Sequence, residues 1–422
     1  MRVLVIGRGG REHAICWALQ KSPKLSKLYC APGNGGIAAV AECVEIAESQ
    51  FDELAQFALK QEIDLVVVGP DDPLAAGIVD HLESKGLNVF GPRKNAAEIE
   101  GSKVFMKQLL KKYAIPTAAY ESFDNHADAL AYVRQQGAPI VIKADGLAAG
   151  KGVVVAQTLE EAEKALADIM LDRVFGASGS RVVVEEFMSG QEMSLLAFVD
   201  GEVVRPMVPA QDHKPVFDND RGPNTGGMGT YSPLPHIPQS IVDEAIEKIV
   251  KPTAEAMVKE GRPFRGVLFA GLMLTPQGPK TVEFNARFGD PETQVVLTRL
   301  KSDLLDIFVA AVEGKLDQVP IEWSDEAAVC VILASPGYPA SYPKGLPISG
   351  LNPAATADAI VFHAGTAATV DGSIVTAGGR VLGVVGLGNS IADAREKAYA
   401  EVNNIHFEGK HYRTDIAKKA LV

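Results

Sequence analysis

Only four cysteines occur in 422 residues, and none forms a C-x-x-C pair. Three of the four lie in or beside apolar runs, so reduced structural thiols are expected rather than a metal site. Positive charge is also short: 41 basic residues stand against 53 acidic ones, a formal net charge of −12. No global field exists to hold a nucleic-acid backbone, and small molecules are the expected partners. No apolar run approaches the roughly 18 residues of a membrane span. The first such run is broken by Gly7, Arg8 and Arg11 before a secretory core could form, so no membrane contact and a cytoplasmic location are expected. What remains is ordinary globular composition, 47% hydrophobic and 22% charged. At about 150 residues per domain, the length predicts two to four domains.

The opening, "MRVLVIGRGGREHA", reads as a buried strand at Val3 to Ile6, a glycine turn, and a helix from His13 onward. Helix N-terminal amides following such a turn can hold an anion. The turn is nevertheless a poor dinucleotide fingerprint, because Glu12 stands where the third glycine belongs and no acidic residue follows at the ribose position. A single phosphate fits better, flanked by the loops "APGNGG" and "GPDDPL". Apolar strands at Val3 to Ile6, Leu65 to Gly69 and Leu87 to Phe90, alternating with helices, predict a parallel Rossmann-like sheet over residues 1–100.

After Pro92 the texture changes. "EGSKVFMKQLLKKYAIPTAAY" reads as a basic helix ending near Ile115. In "APIVIKADGLAAGKGVVVAQ", Lys143 ends an apolar strand, a glycine loop follows, and Val153 to Val155 resume as a strand. The loop superficially matches a phosphate-binding P-loop. Its glycines are one residue too close, Gly152 replaces the magnesium-binding hydroxyl, and a strand follows where a helix is required. A hairpin flap carrying Lys151 is the expectation. Further on, Glu185 and Glu186 close an apolar run, and the segment "QDHKPVFDNDRGPNTGGMGTYSP" is too rich in Gly, Asn, Pro and Asp for a continuous helix.

"TVEFNARFGDPETQ" carries the chemistry. On a strand Glu283, Asn285 and Arg287 share one face, with Phe284, Ala286 and Phe288 on the other. A carboxylate beside a carboxamide oxygen suits Mg²⁺, which takes only one or two protein groups when phosphates complete its shell. The planar fork of Arg287 suits a carboxylate or a phosphoryl group.

These blocks, in order over essentially the whole chain and ending in "FHAGT" and "GGRVLGVVGLG", resemble the glycinamide ribonucleotide synthetase family of the ATP-grasp superfamily. The resemblance implies an α/β and α+β multidomain chain. A Rossmann-like domain would span residues 1–100, an ATP-grasp core 101–326 with a small mobile lid at about 120–190, and a C-terminal α+β domain 327–422. It implies ATP-dependent ligation of glycine to 5-phosphoribosylamine through glycyl phosphate, in de novo purine synthesis, by a monomer using Mg²⁺ or Mn²⁺.

By the same resemblance Lys103 and Lys143 would contact ATP phosphates under the Gly150, Lys151, Gly152 loop. Glu185, Glu186 and Phe187 would meet adenine and Glu192 the ribose. Glu283 and Asn285 match the family's metal ligands, and Arg287 and Asp290 would position glycine. Asp212 and Lys214 would face the reacting centre, and Gly9, Gly10, Arg11, Glu12, Asn34 and Asp71 the phosphoribosyl group. Two departures stand out. "GVLFAGLML" offers no further acidic ligand, and Asp71 replaces the family's usual glutamate, shortening reach by about one bond length. Rival readings are a ligase of the same superfamily with another carboxylate and amine, an NAD-dependent oxidoreductase, and a non-catalytic nucleotide sensor.

Overall fold

The computed structural model describes the whole chain except residues 149, 352–358 and 422. Its first 90 residues build a parallel sheet of five strands, ordered Glu42–Cys43, Lys27–Pro32, Arg2–Gly7, Leu65–Val68 and Val89–Phe90. Apolar residues occupy both faces of its central strands, as a sheet covered on both sides requires. The following helix is Gly10–Leu19, which starts three residues before the expected His13. The side chain of Glu12 explains the earlier start: its Oε2 accepts from the Gly9 amide at 2.8 Å, giving the first turn its cap.

A second, antiparallel sheet orders Val203–Pro206, Gln191–Asp200, Arg265–Thr275 and Gly278–Asn285. Leu195, Ala197 and Leu268 on one face pack with Val242, Ile249 and Met257 from the helical stretch 239–259. Leu196, Phe198 and Phe269 on the other pack against Phe288 and Phe308. Phe288 therefore does not share a face with Phe284 and Ala286 as expected. The strand ends at Asn285, and the chain turns before Phe288 is reached.

The basic helix also differs from expectation. It is two helices, Lys94–Gly101 and Lys103–Lys112, broken at Ser102, whose backbone is extended. Ser102 Oγ accepts from the Phe105 amide at 3.1 Å and donates to Asp145 Oδ1 at 3.2 Å. The hydroxyl thus restarts the helix and ties its first turn to the loop after Lys143.

Strands Tyr120–Phe123, Val182–Glu186, Ile140–Ala144 and Val153–Ala156 form a small separate sheet. Helices His126–Gln136 and Leu159–Leu166 cover it and enclose a core of their own, containing Val133, Ile142, Leu166 and Val184. It is a unit with a private core, joined to the body by two chain crossings. Ile140–Ala144 and Val153–Ala156 pair antiparallel with Lys143 opposite Val153, which is the hairpin geometry expected of that stretch.

The last sheet orders Gln211–Asp212, Gly229–Ser232, Ala327–Ala334, Arg380–Gly388 and Ala359–His363, with helix Ile391–Asn404 against it. Two of its strands come from the polar segment before residue 233, so chain order and sheet membership do not coincide there. At the seam with the first domain, the His363 amide donates to His13 Nδ1 at 2.7 Å. Burial lowers His13 to about 3, with His363 adding to the effect, and lowers His363 to about 4. Both rings are therefore neutral at physiological pH, and the seam carries no uncompensated charge.

Candidate active site

Charged residues from the metal-ligand strand, the small sheet and the last sheet gather around one floor. Glu283 and Asn285 project from the end of Gly278–Asn285, and Arg287 follows just beyond the strand. Asn285, Arg287 and the backbone between them are organised by Glu100, the penultimate residue of helix Lys94–Gly101. Glu100 Oε1 accepts from Asn285 Nδ2 at 3.0 Å and lies 3.0 Å from Arg287 Nη2, while Oε2 accepts from the Ala286 amide at 2.8 Å. Burial pushes the Glu100 carboxyl up, and Arg287 opposes this.

This arrangement bears on the metal. With its amide nitrogen held by Glu100, Asn285 presents its oxygen as the free end. The Glu283 carboxylate forms no side-chain hydrogen bond or ion pair among the described residues, so it too is available. Gly271 stands opposite Glu283 in the neighbouring strand and contributes no second carboxylate. One carboxylate and one carboxamide oxygen fit a hard divalent cation whose remaining positions are filled by phosphates and water. Partners that orient such ligands typically matter by 10- to 100-fold in metal affinity. Glu100→Gln is therefore expected to weaken Mn²⁺ binding by about 10- to 100-fold, because an amide cannot accept from all three donors. Titration of the free-Mn²⁺ paramagnetic signal checks it, and unchanged affinity would remove Glu100 from the site.

Around this floor stand two groups of charges. On one side Lys143 Nζ lies 3.0 Å from Glu185 Oε1 and donates to the Val282 carbonyl at 3.0 Å. Lys103 Nζ donates to the Gly146 carbonyl at 2.8 Å, and burial lowers its pKa. On the other side Lys214 Nζ pairs with Asp212 Oδ2 at 2.6 Å and approaches Glu292 Oε1 at 4.0 Å. Glu292 is only 1% exposed, and its carboxyl also takes a long 3.4 Å hydrogen bond from Ser194. Burial raises the Glu292 carboxyl to about 7, with Lys214 opposing and Asp212 adding to the rise. Arg287 Nε is buried and has no hydrogen-bond partner, a donor left over for an anion.

Asp290 joins the domains. Its Oδ2 accepts from the Arg11 amide at 3.3 Å, its Oδ1 accepts from Gln294 Nε2 at 2.8 Å, and Arg380 Nη1 lies 3.9 Å from Oδ1. Burial acts to raise the Asp290 carboxyl, but Arg380 and Arg11 outweigh it and the pKa falls.

Several expected site residues are turned to the scaffold. Glu12 is 1% exposed, and its Oε1 pairs with Arg11 Nε at 2.6 Å. A Cβ on Gly7 would meet Glu12 Cγ at 2.3 Å and one on Gly69 would meet Glu12 Oε1 at 2.0 Å, so both glycines make room for the Glu12 side chain in the crevice. Gly9 caps the first helix, and a Cβ on Gly10 would meet Gln294 Nε2 at 2.6 Å. Asn34 spends its amide nitrogen on the carbonyls of Arg8 and His363 and its oxygen on the amides of Gly36 and Ile37. Asp71 Oδ1 accepts from the next backbone amide, and its charge reaches Arg11. Glu186 Oε1 accepts from the Ala119 amide, while Phe187 is 41% exposed. Glu192 is exposed at the start of Gln191–Asp200. Gly150, Lys151 and Gly152 form the hairpin tip, where the Lys151 side chain has no polar partner among the described residues.

The sequence reading missed Glu100, Lys107, Glu292 and Arg380. Glu292 and Glu100 lie inside quoted motifs, two residues after Asp290 and three before Lys103. Lys107 sits one helical turn from Lys103, on the same face.

Three family models cover the chain: Phosphoribosylglycinamide synthetase N domain over residues 1–100, the ATP-grasp (A) domain over 101–293, and the C domain over 328–419. The chain is 54% identical over 417 residues to the phosphoribosylamine–glycine ligase of Caldanaerobacter subterraneus subsp. tengcongensis, covering 99% of both chains. It is 51% identical over 422 residues to that of Neisseria meningitidis serogroup A, covering 100% of both. Among solved structures, phosphoribosylamine–glycine ligase from Thermotoga maritima matches with a TM-score of 0.86 at 36% identity, covering 99% of this chain and 100% of that one. Biotin carboxylase from Campylobacter jejuni shares the fold, with a TM-score of 0.77 at 14% identity over 97% of this chain and 93% of that one.

Proposed function

The chain belongs to the phosphoribosylglycinamide synthetase family, and on that premise we propose that its cleft ligates glycine to 5-phosphoribosylamine with ATP, through glycyl phosphate, for purine synthesis. The observation that carries the proposal is the junction at Asp290. It links the metal-ligand strand's exit to Arg11 of the first domain and Arg380 of the last, so one cleft can hold both a phosphoryl donor and a sugar amine.

A glycine carboxylate oxygen attacks the γ-phosphorus of ATP, the β–γ bridging bond breaks, and ADP leaves. Such transfers need positioned groups and neutralised charge more than covalent help. Lys103 and Lys143 supply positive charge to the phosphates, and the unpaired Nε of Arg287 receives an oxygen of the carboxylate or of the phosphoryl group. Glu283 and the Asn285 oxygen would hold the divalent cation, Mg²⁺ or Mn²⁺, which when bound draws negative charge from the phosphates. Glu185 and Phe187 flank adenine and Glu192 the ribose.

The amine of phosphoribosylamine then attacks the glycyl carbonyl carbon, the carbon–oxygen bond to phosphate breaks, and one proton must leave nitrogen. Glu292, poised near neutrality beside Lys214, accepts that proton. Gly10 offers its amide and Arg11 its cation to the sugar phosphate at the start of Gly10–Leu19, while the Gly9 and Arg11 amides are held by Glu12 and Asp290. Glu12 and Asn34 shape that turn from beneath, and Asp71 holds Arg11 electrostatically.

The test is ADP release with ATP, Mg²⁺, glycine and phosphoribosylamine generated in place from ribose 5-phosphate and ammonia, each omitted in turn. Strict dependence on glycine and on the sugar amine is expected. ADP release with neither, or with a different amine, would overturn the substrate assignment.

A further inference from the structure

Lys107 is a fully buried lysine to which the proposed reaction gives no role, on the helix Lys103–Lys112 beneath the small sheet. A buried ammonium must be paired or give up its proton, so the groups around it are informative. Nζ donates to Thr117 Oγ1 at 2.7 Å and to the Ala118 carbonyl at 3.3 Å, and lies 3.3 Å from Glu185 Oε1. The Tyr120 ring faces it at 5.3 Å.

These partners are the two hinges of the small sheet. Thr117 and Ala118 belong to the segment that enters it, and Glu185 to Val182–Glu186, the strand that leaves it. Tyr120 and Glu185 stand opposite one another across these strands. The entering segment is anchored in turn to the metal-ligand strand: Thr117 Oγ1 donates to the Thr281 carbonyl at 2.8 Å, and the Thr281 amide donates to Pro116 at 2.9 Å. Glu185 Oε1 is the same oxygen that lies 3.0 Å from Lys143.

We propose that Lys107 is the positioning residue of the nucleotide lid: it pins the entering and leaving strands to one point and, through the shared Glu185 oxygen, sets Lys143 to receive an ATP phosphate. The proposal rests on the reading of this cleft as an ATP site. Two ammonium groups divide one carboxylate, so the buried triad carries a single net positive charge that an incoming phosphate completes. Without Lys107, Glu185 pairs with Lys143 alone and holds it more tightly, and the lid loses the contact common to both hinges.

The same geometry gives a pH signature. Burial lowers Lys107 to about 8, with Glu185 opposing and Lys143 adding to the depression, and Glu186 and Tyr120 are its other charged or titratable neighbours. As pH rises through 8, Lys107 discharges and Glu185 turns wholly to Lys143, so ATP should bind more weakly. An arginine at this position stays charged throughout.

The experiment measures the ATP dissociation constant by calorimetry and the steady-state KM and kcat, between pH 6.5 and 9.5, for the native protein, Lys107→Met and Lys107→Arg. Lys107→Met is expected to raise the dissociation constant and KM for ATP at least tenfold at pH 7.5, with kcat changed less than threefold and KM for glycine unchanged. Lys107→Arg should restore most of the affinity and abolish the weakening above pH 8 that the native protein shows. ATP affinity of folded Lys107→Met within twofold of native, or an unaltered alkaline weakening in Lys107→Arg, would overturn the proposal. Absence of ATP binding to the native protein would instead overturn the reading of the cleft.

Discussion

Glu283→Ala is expected to lower kcat by about 1000-fold, while ATP affinity falls less than about tenfold. The asymmetry follows from what surrounds the residue. Neutralising a transferring phosphoryl group is worth several kcal/mol, and each 1.4 kcal/mol is a factor of ten in rate. Glu283 supplies the only carboxylate of the two proposed metal ligands, because Gly271 lies opposite it in the adjacent strand. The facing strand offers no acid at that position to take over. ATP still meets Lys103, Lys143 and the adenine-flanking residues, so most of its ground-state binding survives. Mn²⁺ titration of the variant should show the loss of cation binding directly, independent of turnover. Native kcat at saturating Mg²⁺ would remove Glu283 from the site.

Much of this architecture is legible in residue order because local chemistry decides it. The strand at Ile140–Ala144, the glycine tip and Val153–Ala156 pair as the sequence pattern requires. Glu12 in place of a third glycine is legible as the failure of a dinucleotide fingerprint. The structure supplies its physical reason, a buried carboxyl filling the space beside Gly7 and Gly69. Strand alternation places Glu283 and Asn285 together, but it cannot foresee that the strand stops at Asn285, and so Phe288 was expected on the wrong face. The Ser102 break is a similar case. A hydroxyl inside a run of good helix formers reads as neutral until the Asp145 carboxylate is brought to it.

The missing residues share another cause. Glu100 and Asn285 are 185 positions apart, and Lys107 is separated from Glu185 by most of the small sheet. In sequence each looks like a solvated charge on a polar helix, which most such residues are. Only the packing of sheets remote in sequence around one cleft buries them, and burial is what converts a surface charge into an orienting one. Glu292 differs, since it lies inside the informative motif. Its role depends on Lys214 and Asp212, which are remote in sequence and reach it through strand Gln211–Asp212 in the last sheet.

That dependence makes Glu292→Gln the second substitution with a large expected effect. General-base removal typically costs 100- to 10,000-fold, and a loss of about 1000-fold in kcat is expected here. The sign with pH is fixed by direction. Burial raises the native carboxyl to about 7 from an ordinary value near 4.5, so the basic form dominates only above neutrality. Native kcat should therefore fall as pH drops below 7, and the glutamine variant, slow throughout, should lose that acid limb. Stability must move the other way. Between pH 4.5 and 7 the unfolded chain ionises Glu292 while the folded chain does not, so native stability declines across that window from this group. Glutamine has no charge to bury and removes the decline. A variant that unfolds at the same temperature or higher at pH 8, yet turns over about 1000-fold more slowly with a flat acid profile, separates proton acceptance from scaffolding. Retention of the acid limb in Glu292→Gln would assign that titration to another group and remove Glu292 as the proton acceptor.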